Sequence, residues 1–308
     1  LNEIARETKV LDPNHPTMTV IAELGGNKVA DIHKYCPDID IIGINSYGGG
    51  ASVLERYVKS GGVKPYILTE FGPPGPWETA KSSWGAAYEM SSTQKAAFVK
   101  TVYSSSVLKS QGLCLGSYAF TWGAKQEGTA TWFGLLLTDA SRLAAVDTLQ
   151  EFWTGQAPTN SCPSIGQIAS EKGVEGAPGS VLNFSIPAQK PNSKTRWSLQ
   201  KENTNYQSNG NWEATPPELK DSILSENQDH VQIKIPSGLG GYRLFAYVRD
   251  GNGGAATANI PIFSKDPDSS KRGNVSALPV KIYAEGVETA FHPSGYMGEV
   301  ASIKMDPN

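Results

Sequence analysis

One acidic residue stands where an apolar segment ends, and its position is suited to catalysis. Glu70 closes the apolar run 66–68, and glycine and proline follow it at 72–74. This pattern predicts a short buried strand with an acid at its C-terminal end and a sharp turn behind it. Because α/β barrels carry their chemistry at the C-terminal ends of strands, Glu70 is a candidate catalytic carboxylate. The same pattern fits a carboxylate held in a salt bridge.

Three tryptophans lie near the predicted strand ends and loops, namely Trp77, Trp84 and Trp122. Aromatic faces stack on the apolar faces of sugar rings, and they also fill protein cores. We interpret a single tryptophan of this kind as a core residue. The three together favour a ligand groove.

Composition excludes several classes of function. The chain of 308 residues, with a net charge of −3, has room for two or three domains, and nothing in it favours a nucleic-acid partner. No apolar run is long enough to predict a membrane span. The cysteines lack a C-x-x-C pattern and the histidines are scattered, so no metal is expected. A phosphate-cradling glycine loop is also missing from the sequence, and no organic cofactor is expected.

Helical and β-branched segments alternate over residues 1–160, which predicts four parallel strands in βαβ units. A (β/α)8 barrel needs eight strands and about 250 residues. The simplest expectation is the C-terminal half of a TIM-type barrel whose first half lies outside this sequence. Two chains that complete one barrel, or a small open sheet, are the alternatives.

The second half of the sequence has a different pattern. Residues 161–180 are rich in glycine and proline and are interpreted as a linker. Short alternating strands over 181–266 predict a β-sandwich of immunoglobulin-like size. Residues 275–308 are expected to begin a further β domain. The predicted fold class is therefore α/β followed by all-β.

Four motifs follow one another in the first half of the chain: LDPNHPT (11–17), DIIGINSY (40–47), ILTEFG (67–72) and YAFTW (118–122). In order and spacing they resemble the second half of a retaining glycoside hydrolase barrel, as found in the family 2 β-glycosidases and their clan. The similarity covers about residues 1–155.

The resemblance implies a role for each candidate residue. Glu70 would be the nucleophile at the end of the seventh barrel strand and would form a covalent glycosyl-enzyme. Tyr47 would hydrogen-bond that carboxylate and keep it ionised. The other implied substrate-binding residues are Asn45 near the nucleophile, Trp122 beneath the sugar, and Trp77 and Trp84 along the cleft.

The acid/base departs from the family pattern. Retaining hydrolysis needs two carboxyl groups about 5 Å apart, and the family's acid would precede this sequence. Glu3 follows an asparagine, as the family's acid does, but it has helical spacing and no strand before it. Glu23 and Glu127 lie near strand ends and are suited to binding sugar hydroxyls. In the long loop, Glu78 and Glu89 are expected to be solvated or salt-bridged.

Two further segments also resemble parts of secreted carbohydrate enzymes. Residues 241–251 resemble the last strands of polycystic-kidney-disease or fibronectin-like modules, which are most often spacers. Residues 278–306 resemble the opening of a carbohydrate-binding jelly roll.

The sequence predicts a secreted, extracellular or periplasmic, retaining glycoside hydrolase or transglycosylase that acts on a β-linked poly- or oligosaccharide. The alternative is a non-catalytic glycan-binding or structural protein of an extracellular assembly, built on a degenerate or truncated barrel.

Overall fold

The structure is a computed structural model that describes residues 1–203 and 213–267. The further β domain predicted at 275–308 lies outside the described residues. Across these residues, every helix is too short or too polar to span a lipid bilayer.

Residues 1–160 form the α/β region, in which helices alternate with the strands of one parallel sheet. The strands pair in chain order, as the alternating sequence pattern predicts. The helices are α1 (Asn2–Leu11), α2 (Lys28–Tyr35), α3 (Val53–Lys59), α4 (Ser92–Val102) and α5 (Ala144–Thr154), and the strands are β1 (Met18–Ala22), β2 (Ile41–Ser46), β3 (Tyr66–Phe71) and β4 (Cys114–Ala119).

The two faces of this sheet differ. Ile44, Leu68 and Phe71 are fully buried against the helices. Residues one position away along a strand point to the opposite face. On that face a Cβ at Gly43 would lie 2.8 Å from both Val20 and Thr69, so only glycine fits between them without displacing these side chains.

Residues 161–266 form the two-sheet region. Its strands are β5 (Ala169–Ser170), β6 (Glu175–Gly176), β7 (Val181–Ser185), β8 (Lys194–Lys201), β9 (Ile223–Glu226), β10 (His230–Lys234), β11 (Gly240–Arg249) and β12 (Ala255–Ser264). They form two sheets with the strand orders β5-β7-β10-β9 and β6-β12-β11-β8, and side chains of both sheets pack into one hydrophobic core.

The segment 161–180, expected to be a linker, contributes to both sheets. Its strand β5 pairs with β7 and its strand β6 pairs with β12. Ile165 and Ile168 are buried in the core of the two-sheet region. Strands of two residues leave no periodic signal in the sequence, and the surrounding glycines and prolines dominate the pattern.

Helix α4 begins with a capping box. The Ser91 hydroxyl accepts a hydrogen bond from the backbone N–H of Gln94 at 3.4 Å, and the Gln94 side chain accepts one from the Ser91 N–H at 2.9 Å. The Ser91 hydroxyl also donates to the carbonyl of Ile165 at 3.0 Å. The cap therefore joins α4 to the two-sheet region.

Replacing Ser91 with alanine is expected to lower the free energy of unfolding by about 1–2 kcal/mol, because the cap and a buried hydrogen bond are lost together. Urea denaturation measures the change. Thr101→Ala, at an exposed position of the same helix, is the control and should change stability by less than about 0.5 kcal/mol. Equal effects of the two substitutions would show that the cap adds nothing.

Candidate active site

Glu70 and Tyr47 meet at one edge of the parallel sheet. Strands β2 and β3 are parallel neighbours, with Asn45 paired to Glu70 in register, and Tyr47 directly follows β2. The Tyr47 hydroxyl donates a hydrogen bond to Glu70 Oε2 at 2.6 Å. A short bond between a hydroxyl and a carboxylate is typical of a charge-assisted contact. Both side chains are half-buried, so this carboxylate is fixed in position but still accessible.

Three aromatic rings surround Tyr47, and we call them the aromatic wall (Trp77, Phe120 and Phe133). Their centroids lie 5.7, 5.8 and 5.3 Å from that of Tyr47. All three meet the Tyr47 ring edge-on, a favourable geometry for aromatic pairs. The wall belongs to the loops that follow β3 and β4.

The aromatic wall and the nearby carboxylates set the protonation of Tyr47. Burial raises the pKa of Tyr47 well above its usual range, and the hydrogen bond to Glu70 raises it further. The negative charges of Glu127 and Glu78 act in the same direction. Tyr47 therefore remains a hydrogen-bond donor to Glu70 at physiological pH.

Glu78 connects the loops that follow β2 and β3. Its Oε2 atom accepts hydrogen bonds from the backbone N–H groups of Gly48 at 2.9 Å and Gly75 at 2.7 Å. A Cβ at Gly75 would overlap the Trp77 ring, so the indole packs directly on the backbone there. These contacts hold Trp77 beside Tyr47.

Glu127, in the loop after β4, lies within electrostatic range of Tyr47. Its carboxylate forms an ion pair with the Lys125 ammonium at 2.5 Å. That ammonium also lies 4.7 Å from the centroid of the Phe120 ring. The ion pair is thus anchored on the aromatic wall. Glu70, Glu78 and Glu127 all contribute negative potential at the Tyr47 hydroxyl.

Two of the other polar residues near the strand ends are also held in place. The Asn45 Oδ1 atom accepts a hydrogen bond from Thr69 at 2.6 Å. Glu23, just after β1, pairs with Arg56 at 2.7 Å and accepts a hydrogen bond from Ser46 at 2.7 Å. Burial raises the pKa of Glu23, but the hydrogen bonds and the Arg56 charge outweigh burial and leave the pKa below its ordinary value.

The three tryptophans expected to line a groove have different environments. Trp77 is 54% exposed and belongs to the aromatic wall. Trp122 is 68% exposed and lies just beyond the end of β4. Trp84 packs on Phe263 of β12, with a distance of 5.1 Å between the ring centroids. Its indole ring therefore contacts the two-sheet region.

The sequence analysis did not single out Phe120, Phe133 or Lys125. Phe120 lies within the YAFTW motif, which offered a signal for it. Phe133 lies in a loop without hydrophobic periodicity, and nothing in the local sequence distinguishes it from any other loop aromatic. Within the described ranges, no group of three or more metal-ligating side chains could hold a metal ion.

No family model and no curated protein sequence matches this chain. A GH51 α-L-arabinofuranosidase from Thermotoga petrophila is similar in structure, with 10% identity, a TM-score of 0.36, and coverage of 85% of this chain and 60% of its own. A glycosyl hydrolase family 2 member from Bacteroides cellulosilyticus shows 13% identity, a TM-score of 0.30, and coverage of 86% and 30% respectively.

A third similar structure is the PKD domain of an M14-like peptidase from a Thermoplasmatales archaeon, with 13% identity and a TM-score of 0.22. It matches 35% of this chain over 100% of its own length. This chain spans about three fifths of the arabinofuranosidase and under a third of the family 2 protein.

The Glu23 ion pair gives a pH dependence with a definite sign. Because the folded-state pKa of Glu23 lies below its ordinary value of 4.5, its stabilising contribution is present above that pH and is lost as the pH falls through the lowered pKa. Urea denaturation at about pH 6 and about pH 3 should show a smaller loss of stability for Glu23→Gln than for the wild type. Arg56→Gln should reduce the loss similarly. An unchanged loss in both variants would contradict the assignment.

Proposed function

We propose that this protein is a retaining glycosidase in which Glu70 is the nucleophile. The observation that carries this proposal is the 2.6 Å hydrogen bond from Tyr47 to Glu70 at the C-terminal edge of the sheet. By holding Oε2, Tyr47 orients Oε1 as the attacking oxygen. Placing a nucleophile in this way contributes to the rate by fixing its geometry before reaction.

The reaction would proceed in two displacements. The Glu70 carboxylate attacks the anomeric carbon and forms a glycosyl ester, while the glycosidic oxygen departs with a proton from an acid. Water then attacks the ester and releases the sugar, or a sugar hydroxyl attacks and gives a transglycosylation product. Both outcomes use the same intermediate, so the Glu70 geometry serves either one.

We propose a β-linked poly- or oligosaccharide as the substrate. Trp77 and Trp122 support this, because both rings are more than half exposed and both follow strands that end at the same edge as Glu70. Exposed indole faces stack well on the apolar faces of sugar rings. Asn45 and Glu127 would bind sugar hydroxyls.

The sheet is proposed to be the C-terminal half of a (β/α)8 barrel of the family 2 clan, in a secreted protein whose two-sheet region is an immunoglobulin-like module. The open face of the sheet supports the half-barrel, since Met18, Val20 and Leu115 are 45%, 47% and 55% exposed there. In the described part of the chain, β1 and β4 each pair with one neighbour only. Four further strands would cover this face and supply the acid.

A second candidate function is glycan binding without catalysis. Within the described ranges, the hydrogen-bond partner of Glu70 is Tyr47, and no described residue is assigned as the acid. The exposed rings of Trp77 and Trp122 would hold a glycan in either case. Chemical trapping of the intermediate separates the two functions.

Glu70 is expected to be labelled by 2,4-dinitrophenyl 2-deoxy-2-fluoro-β-glycosides of glucose, galactose, mannose and xylose. Dinitrophenolate leaves without protonation, so the first displacement needs the nucleophile but no acid. Intact mass should rise by one glycosyl group from at least one probe, and peptide mapping should place it on Glu70. Glu70→Gln should stay unlabelled, and Glu55→Gln, at an exposed position of α3, should label normally. Labelling at another residue, or by none of the four, would reject the nucleophile assignment.

Tyr47→Phe should lower the rate of that labelling by about 10- to 100-fold. A hydrogen bond to a charged group is worth about 1.5–3 kcal/mol, and its removal leaves Oε2 without the donor that orients the carboxylate. The rate constant follows from a time course of intact mass. A variant that labels as fast as the wild type would remove Tyr47 from the mechanism.

A further inference from the structure

The loop after β4, which carries part of the aromatic wall, is hydrogen-bonded to a buried carboxylate. Thr129 and Thr131 precede Trp132 and Phe133 in the loop after β4. Their hydroxyls donate to Glu89, Thr129 at 2.6 Å and Thr131 at 2.8 Å. The conformation of this loop is thereby tied to the position of one buried carboxylate.

Glu89 is 4% exposed and is shared between three parts of the molecule. From α4, the Lys95 ammonium contacts its Oε1 atom at 2.5 Å. From β12, the Asn259 side-chain N–H donates to its Oε2 atom at 2.6 Å. Burial raises the pKa of Glu89, but the Lys95 charge and the hydrogen bonds outweigh burial and hold the pKa below its ordinary value. Glu89 is therefore an ionised acceptor.

Arg243 of β11 fixes Asn259 in turn. The Arg243 guanidinium, 2% exposed, donates to Asn259 Oδ1 at 2.6 Å and pairs with Glu202 at 2.8 Å. It also donates to the carbonyl of Ala87 at 2.7 Å, in the loop after β3. Because the Asn259 amide oxygen accepts from Arg243, the amide nitrogen of Asn259 is turned toward Glu89.

The network reaches Tyr47 through two neighbouring residues of the same loop. Trp132 donates its indole N–H to the carbonyl of Pro74 at 3.0 Å, which joins the two loops. Phe133 packs on the Tyr47 ring at 5.3 Å, and Tyr47 donates to Glu70. A shift of Thr131 would therefore move the ring that packs against Tyr47.

We propose that Asn259 and Arg243 are positioning residues for the Glu70 site, so that the two-sheet region acts on the active site and is more than a spacer. Their part in the reaction rests on the function proposed above. Their effect on the loop does not, because it follows from contacts that exist without substrate. Asn259 supplies a hydrogen-bond donor from outside the α/β region, and Arg243 aims it.

Hydrogen exchange on the full chain tests the effect on the loop without any substrate. Asn259→Asp keeps the shape of the side chain but removes the hydrogen-bond donor. It also places a second carboxylate next to that of Glu89. We expect amide exchange at 129–133 to become at least about tenfold faster in Asn259→Asp and Asn259→Ala. The control is Ile233→Ala, in the core of the two-sheet region and fully buried. It should stay within about twofold of the wild type at 129–133.

Wild-type exchange in Asn259→Asp, or an equal rise in Ile233→Ala, would overturn the proposal. Thr131→Val removes the contact from the loop side and should reproduce the rise, which keeps the test decisive if the Asn259 variants fail to fold. The labelling rate of Glu70 by the fluoroglycosides should fall in Thr131→Val and Asn259→Asp but not in Ile233→Ala. An exchange effect with unchanged labelling would reject the positioning role. If no probe labels the wild-type chain, the proposed enzymatic function is rejected. The exchange result alone then decides whether Asn259 fixes the loop at 129–133.

Discussion

The buried carboxylate of Glu89 is the constraint on which the arrangement of the active-site loops depends. A buried charge costs several kcal/mol unless it is paired and hydrogen-bonded. Glu89 meets this requirement with donors from three places: Lys95 on α4, the threonines of the loop after β4, and Asn259 on β12. None of these elements can move away without leaving Glu89 under-coordinated. The α/β region and the two-sheet region are therefore joined by a charge that must be satisfied.

Glu70 contrasts with Glu89 in every respect that matters for chemistry. Glu89 is buried, paired with a cation and surrounded by donors, so it has no capacity left for a substrate. Glu70 is half-buried, and in the described part of the chain it is held by a single hydroxyl. One carboxylate stabilises the scaffold, and the other is presented by it. The aromatic wall connects the two, since Phe133 packs on Tyr47 while the threonines before it bind Glu89.

Local sequence patterns were sufficient for the strands of the parallel sheet, since alternation and apolar runs predicted β1 to β4. The contact between Tyr47 and Glu70 was implied by the resemblance to a glycosidase barrel, and the two side chains are hydrogen-bonded in the structure. Helix α4 ends at Val102 and continues as a π-helical turn, Tyr103–Val107. There the Ser106 hydroxyl donates a hydrogen bond to the carbonyl of Gly50, in the loop after β2.

Sequence patterns gave no information on contacts between residues far apart in the chain. Glu89 was expected to be solvated or salt-bridged; it pairs with Lys95, and its contact with Asn259 spans 170 positions of sequence. Trp84 resembled a groove residue as closely as Trp77 did, yet it packs on Phe263. Trp84 contacts the two-sheet region and Trp77 contacts Tyr47. Which surface each ring packs on is decided by the burial of charged and aromatic side chains in the assembled fold, and local sequence does not encode it.

The most direct test of the central claim is a crystal structure of the Glu70→Gln chain soaked with an oligosaccharide that the wild-type chain binds. The account predicts a sugar ring over Trp122 or Trp77, with its anomeric carbon about 3–3.5 Å from the side-chain oxygen at position 70. It also predicts that Tyr47 still contacts that side chain. A sugar bound elsewhere on the molecule, or an anomeric carbon out of reach of position 70, would contradict the assignment of Glu70 as the nucleophile.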